Sequence, residues 1–314
     1  MIVSGVQTQL PIWLLELIDN ERVSDILLSS SGSQIDYGNG LENLAEIQTS
    51  ETELAALARE LIQLGGRRLD HANPFADVSL PGGLRVHAAL KSGCSEHTLI
   101  SIRLHQLNAL CLDQLLATSF ASTIHQTAIR EIAYSGESFL IAGPTGSGKT
   151  TLLRAMLGEV NERVIAVEDV TELAGNNIIS LQSRSSNVEG QGEIGLDQLV
   201  RESLRMRPDR IVVGEVRGAE LVAMLQALNT GHRGATTIHA NSLAQVPERL
   251  STIKADLAIS DQSFSRMVAA AFDWVISLEV NAGRRRVAGI GKFVLEDNQL
   301  VVREDHPRQK LALA

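Results

Sequence analysis

The stretch "LIAGPTGSGKTTLL" constrains this chain more than any other. It carries G-x-x-x-x-G-K-T at Gly143, Gly148, Lys149 and Thr150, after an apolar run and before a helical pattern. In that context the glycines let the backbone wrap closely. Consecutive N–H groups at the positive end of a helix then point at phosphate oxygens. Lys149 would bring a full positive charge to the β and γ phosphates, and Thr150 a hydroxyl to Mg²⁺. The loop demands a strand that ends at a ligand, and in a parallel sheet ligands sit at such strand ends.

The rest of the C-terminal part supplies that sheet. Short apolar runs alternate with helical segments: "ESFLIAG" (137–143), "RVIAVED" (163–169), "NIISL" (177–181), "RIVVGE" (210–215) and "GATTIHA" (234–240). The alternation predicts a mainly parallel sheet with crossover helices. The final stretch, from Phe272, reads as strands joined by turns, and "GRRR" (283–286) as a solvated hairpin turn or a partner-binding tip.

The N-terminal part differs. "SETELAALARELIQLGG" (50–66) predicts a helix capped by Ser50 with Glu53 three residues on, stopped by Gly65 and Gly66. "DILLS", "SQIDYGNGLENL", "FADVSLPGGLRVHAAL" and "HTLISIRLH" read as strands, the third bending at Pro81, Gly82 and Gly83. The expectation is a small α+β domain with an antiparallel sheet over residues 1–108, and the phosphate-binding domain over 109–314, with a linker near 106–112.

Nucleotide hydrolysis needs a carboxylate near the γ phosphate. In "RPDRIVVGEVRG" a buried-looking strand ends on Glu215, with Arg217 two residues on. An unpaired buried charge is costly, so Glu215 is expected to face Mg²⁺ or the attacking water. "AVEDVTEL" offers Glu168, Asp169 and Glu172, again just past an apolar strand.

Four stretches, "GPTGSGKTTLL", "VEDVTEL", "LVRESLRMRPDRIVVGEVRGAE" and "ALNTGHRGATTIHANS", occur in the order seen in the secretion traffic ATPases. The chain resembles these hexameric motors of type II and type IV secretion and pilus assembly. "GGRRLDHANPFADVSLPGGLRVHAAL" is similar to the tight-adherence (Tad) branch. The resemblance implies an α/β fold: a RecA-like P-loop NTPase domain preceded by a smaller α+β domain with an antiparallel sheet, which closes over the nucleotide.

It also implies the site. Gly143, Pro144, Thr145, Gly146, Ser147, Gly148, Lys149, Thr150 and Thr151 would bind ATP. Glu168 would be the general base, Glu215 the acid near Mg²⁺ together with Thr150, and His239 a nucleotide sensor. Arg85 and Arg103 match the arginines that relatives place on the N-terminal domain to neutralise the γ phosphoryl group. Arg201, Arg205, Arg207 and Arg217 are further candidates, a salt-bridged helix being the alternative for Arg201 and Arg205. The interval between His232 and His239 is one residue shorter than the family pattern, which puts His232 in doubt.

Composition bounds the partners. The formal net charge of −9 and 3% aromatic residues argue against direct nucleic-acid binding. Cys94 and Cys111 have no metal spacing and read as reduced thiols. The first residues lack a basic leader, and no window approaches a membrane span. Together with these bounds, the resemblance implies a cytoplasmic homohexamer docked on an inner-membrane platform protein. A conjugative DNA-transfer ATPase and a non-hydrolysing, nucleotide-gated assembly protein are the alternatives.

Overall fold

The computed structural model describes residues 10–20, 22–38, 40–80, 83–104, 110–184, 192–254, 259–281, 283–305 and 307. The chain divides into two compact units, Met1–Asn108 and Ala109–Ala314. The Pro81–Gly82 part of the expected turn and most of the expected linker lie outside the described residues.

The first unit opens with helix α1 (Ile12–Ile18), followed by strands β1 (Asp25–Ser29), β2 (Gln34–Asp36) and β3 (Leu41–Asn43). Helix α2 (Glu51–Leu64) leads to β4 (Phe75–Leu80), β5 (Leu84–Ala89) and β6 (Leu99–Leu104). These strands form one antiparallel sheet in the order β3-β2-β1-β6-β5-β4. The capping box at the start of α2 is present in both halves. Glu53 N–H donates to Ser50 Oγ, and Ser50 N–H donates to the Glu53 carboxylate. The two glycines at its end do different work. Gly66 takes a left-handed turn at φ +75°, whereas a Cβ on Gly65 would lie 2.3 Å from Val78 Cβ, so there the helix needs room against β4. Leu54, Leu57, Ala58, Leu61 and Ile62 bury the inner face of α2 against Ile26, Leu28, Val86, Ile100 and Ile102.

The second unit begins with α3 (Leu112–Ala117) and α4 (Thr123–Ser135). Then come β7 (Phe139–Ala142), α5 (Lys149–Gly158), β8 (Val164–Glu168) and β9 (Ile178–Gln182). Helix α6 (Leu196–Ser203), β10 (Arg210–Val213), α7 (Glu220–Asn229), β11 (Arg233–Ile238), α8 (Val246–Lys254) and α9 (Asp261–Ala271) follow. The unit closes with β12 (Trp274–Asn281), β13 (Arg284–Glu296) and β14 (Gln299–Glu304).

One sheet runs through this unit in the order β14-β13-β12-β7-β11-β10-β8-β9. The strands from β12 to β9 along that order are parallel; β13 and β14 add an antiparallel meander at one edge. Strands β7, β8 and β10 are buried along their whole length, which is why they read as unbroken apolar runs. Helices cover both faces. Leu152, Leu153 and Met156 of α5 share a core with Ile129 and Ile132 of α4, while Leu221, Met224 and Leu225 of α7 pack with Phe264 and Val268 of α9.

Candidate active site

Four parallel strands deliver four functional segments to one edge of the sheet. β7 ends at the phosphate loop, β8 at Glu168, β10 at Glu215 and β11 at His239. The loop itself is built for close contact. Gly146 and Gly148 have φ +74° and +92°, and a Cβ on Gly143 would lie 2.5 Å from Ser147 Oγ. That hydroxyl is buried and finds no partner among the described residues. An orphaned donor inside a glycine turn at the mouth of α5 fits a bound phosphate, which would satisfy it.

Lys149 is buried and donates to the carbonyl oxygens of Gly143 at 2.9 Å and Pro144 at 3.0 Å. Its ammonium also lies 3.2 Å from His239 Nδ1. Burial lowers the Lys149 pKa, the charge of Glu215 opposes that shift, and Arg217 adds to it. His239 Nε2 lies 3.1 Å from Glu215 Oε1. Burial and the Lys149 charge both depress the His239 pKa, against the pull of Glu215. A neutral ring fits both contacts: Nδ1 accepts from Lys149 and Nε2–H donates to Glu215.

Glu215 also binds Arg217 in a fork, with Nε at 2.8 Å and one Nη at 3.0 Å. Burial alone would raise the Glu215 pKa, but the Arg217 hydrogen bond and the charges of Arg217, His239 and Lys149 carry it below the usual carboxylate value. The acid and base that end "RIVVGEVRG" therefore face each other. Arg217 balances the Glu215 charge, and the His239 ring adds a hydrogen bond to it. The neighbouring strand fixes the geometry. Thr236 and Thr237 hydroxyls donate to the carbonyls of Val213 and Gly214, and Val216 N–H donates to Thr237 O. Beyond Arg217, Gly218 N–H donates to Glu220 Oε1, closing the turn into α7.

Glu168 is buried at the end of β8, and its carboxylate accepts from the N–H groups of Glu172 and Leu173. Burial outweighs those hydrogen bonds and pushes its pKa up to about 7. Its side chain packs on the Gly214 backbone, where a Cβ would come within 2.9 Å of Glu168 Cγ. Gly214 follows β10 and immediately precedes Glu215, so Glu168 sits against the segment that carries Glu215. Asp169 accepts from Ser183 Oγ and stands 3.9 Å from Arg217.

Other predicted residues separate from this cluster. His232 precedes β11 and faces the Ala227 carbonyl at the end of α7, so the two histidines sit at opposite ends of one strand. Arg201 pairs with Asp197 and Arg205 with Glu202, the salt-bridged helix alternative. In the first unit, Arg85 and Arg103 are direct cross-strand neighbours on β5 and β6. Arg103 binds Asp25 at 2.8 Å, while Arg85 makes no ion pair among the described residues. Thr150 and Thr151 lie in the first turn of α5, half-buried.

Sequence reading passed over the far wall of the site. A cleft of about 710 Å³ is lined by Pro144, Thr145, His239, Asn241, Gln245 and Arg249, among others. Arg249 Nε is buried and without a partner among the described residues. The available signal was position: a helix that starts just after His239 must begin at the ligand edge of the sheet.

A glycine loop, a buried lysine and strand-end carboxylates on a parallel sheet define a P-loop nucleotide-binding protein. Comparison with known proteins narrows the class. The sequence profile of the type II/IV secretion system protein family matches residues 16–280. The chain is 40% identical over 287 residues to the "Putative conjugal transfer protein" of Mycobacterium tuberculosis, covering 87% of this chain and 82% of that one. It is 29% identical over 299 residues to conjugal transfer protein TrbB of Rhizobium radiobacter, covering 91% and 88%. The pilus retraction motor PilT with bound ADP has the same fold, with a TM-score of 0.65 at 18% identity, covering 95% of this chain and 84% of that one. The chain belongs to the type II/IV secretion system protein family, the secretion traffic ATPases.

Proposed function

We propose that this chain hydrolyses ATP as one subunit of a homohexameric motor that powers pilus assembly or protein secretion from the inner face of the cell membrane. The observation that carries the reading is the chain of contacts from Lys149 through His239 to Glu215 and Arg217 at the mouth of the phosphate loop. The residues from Gly143 to Thr151 bind the phosphates through backbone N–H groups, the Ser147 hydroxyl and the Lys149 ammonium. Mg²⁺ takes few protein ligands beside phosphate oxygens and waters. Thr150 and Glu215 would hold it, and when bound it would neutralise charge on the phosphates. With Glu215 so used, Arg217 and His239 would have to give up part of their contact with it. Glu168, titrating near neutrality, is the general base.

Arg85 and Arg103, side by side on β5 and β6, serve the γ phosphoryl group from the N-terminal domain, which closes over the nucleotide. A membrane platform protein receives the work. Among the described residues no helix is long and apolar enough to cross a membrane, in keeping with peripheral docking.

The paired test is Lys149→Ala against Glu215→Gln. The first should bind ADP at least ~100-fold more weakly. The second should bind with near wild-type affinity and turn over ATP ~10²–10³-fold more slowly, the range for losing one group that stabilises charge in the transition state. Normal hydrolysis by Glu215→Gln would remove that acid from the chemistry. A wild-type protein that binds ATP without hydrolysing it would instead be the nucleotide-gated assembly protein.

The names of the two relatives favour a second reading, a conjugative-transfer motor. Filter binding to DNA across a salt series separates the two. Affinity that falls steeply with salt supports direct DNA handling; the net charge of −9 favours none.

A further inference from the structure

The opposite flank of the phosphate loop is formed by the hairpin of β12 and β13. β12 pairs in parallel with β7, ending at Ser277 opposite Ala142. The next residue, Leu278, presses its carbonyl oxygen to 3.0 Å of where a Gly143 Cβ would be. β12 then runs on to Asn281, alongside the loop, and β13 returns with Arg285 opposite Val280 and Arg286 opposite Glu279. Successive strand residues face opposite sides. Arg284 and Arg286 share one face, where Arg286 pairs with Glu279. Arg285 takes the other, and its Cδ lies 3.9 Å from the position of a Cβ on Gly148.

Arg285 is exposed and has no ion pair or hydrogen bond among the described residues. Gly148 caps α5, whose first residue is Lys149. The stem of this exposed arginine thus passes the N-terminus of α5, where backbone N–H groups favour negative charge. A polyanion seated in the glycine loop would come within reach of a guanidinium that has no other partner among the described residues. Arginine can then fork onto phosphate oxygens.

We propose that Arg285 is a nucleotide-binding residue, carried by the C-terminal hairpin and contacting the phosphates from the flank opposite Glu215 and His239. This rests on the nucleotide reading above. Because the strand-end carboxylates lie on the β11 side and Arg285 on the β12 side, Arg285 serves the body of the nucleotide and not the γ phosphoryl group. ADP and ATP should therefore depend on it equally.

Calorimetric titration of the full chain with ADP and with AMP-PNP tests this. Arg285→Gln should weaken both ligands ~10-fold, as expected for a lost charge-assisted hydrogen bond. Arg285→Lys should fall between Arg285→Gln and wild type, and Arg284→Gln, on the other face of the hairpin, should match wild type. Unchanged affinity in Arg285→Gln would return this arginine to solvent and overturn the proposal. So would an equal loss in Arg284→Gln, which would mark hairpin damage, or a loss confined to AMP-PNP, which would make it a γ-phosphate group. In each of those cases wild-type binding and its loss in Lys149→Ala leave the nucleotide reading standing. Failure of the wild type to bind ADP would remove both.

Discussion

Glu168 holds a proton that its unfolded counterpart gives up. Its carboxyl is buried and titrates at about 7, against an ordinary 4.5. Between those values the folded chain binds more protons than the unfolded one, so stability falls as pH rises through that window and levels off above it. The full effect is on the order of 3 kcal/mol. Glu168→Gln fixes the neutral state and keeps an acceptor for the Leu173 N–H. Thermal midpoints of the two proteins should coincide at pH ~4 and diverge by pH ~8, with the variant higher. A gap that stays constant with pH would mean that the carboxyl is ionised throughout. The sequence identified Glu168 by its place after an apolar strand. It gave no sign that the carboxylate would be seated on Gly214 and tied to its own loop, because that depends on which strand lies next to β8.

At the scale of elements, strand type and order were legible because the chemistry repeats. Unbroken apolar runs read as strands, and β7, β8 and β10 are buried throughout, whereas "NIISL" forms the part-exposed edge strand β9. The functional segments were legible for the same reason, since each directly follows such a run. What the runs hide is their polar anchoring. "RIVVGE" begins with Arg210, which is 1% exposed and passes for the edge of a strand. Its Nε donates to Glu162 at 2.6 Å and one Nη to the Glu137 carbonyl at 3.0 Å, and its guanidinium lies 5.7 Å from the centre of the Phe139 ring. This arginine ties the starts of β10 and β7 to the turn before β8. Arg210→Met would strand Glu162 with Arg233 as its remaining partner. Losing one half of a buried pair costs about 3 kcal/mol or more, and Arg233 should hold the loss near 2–4 kcal/mol. Urea unfolding checks it, with partial recovery in the double variant Glu162→Gln/Arg210→Met. ATP turnover per folded molecule should not change, since Arg210 lies at the end of the sheet away from Lys149 and Glu215.

The whole molecule carries separate cores. One is built from residues between Leu10 and Ile102, the other two from residues between Leu112 and Phe293. Units that share no core should unfold in distinct steps, and nucleotide supplies a way to read which of them it engages. A ligand at about 100 times its Kd stabilises the folded unit that binds it by about 2.7 kcal/mol. The phosphate loop belongs to the second unit, so ADP must raise that transition. If Arg85 and Arg103 also reach the nucleotide, ATP must bind more tightly to the joined units than to the second alone, and the first transition must rise with it. Calorimetric scans with ADP and with AMP-PNP, on the wild type and on Arg85→Gln/Arg103→Gln, separate these effects. The γ-phosphoryl role requires the first transition to rise with AMP-PNP more than with ADP, and the double variant to abolish the difference. A first transition that ignores both ligands would assign the two arginines to the sheet surface.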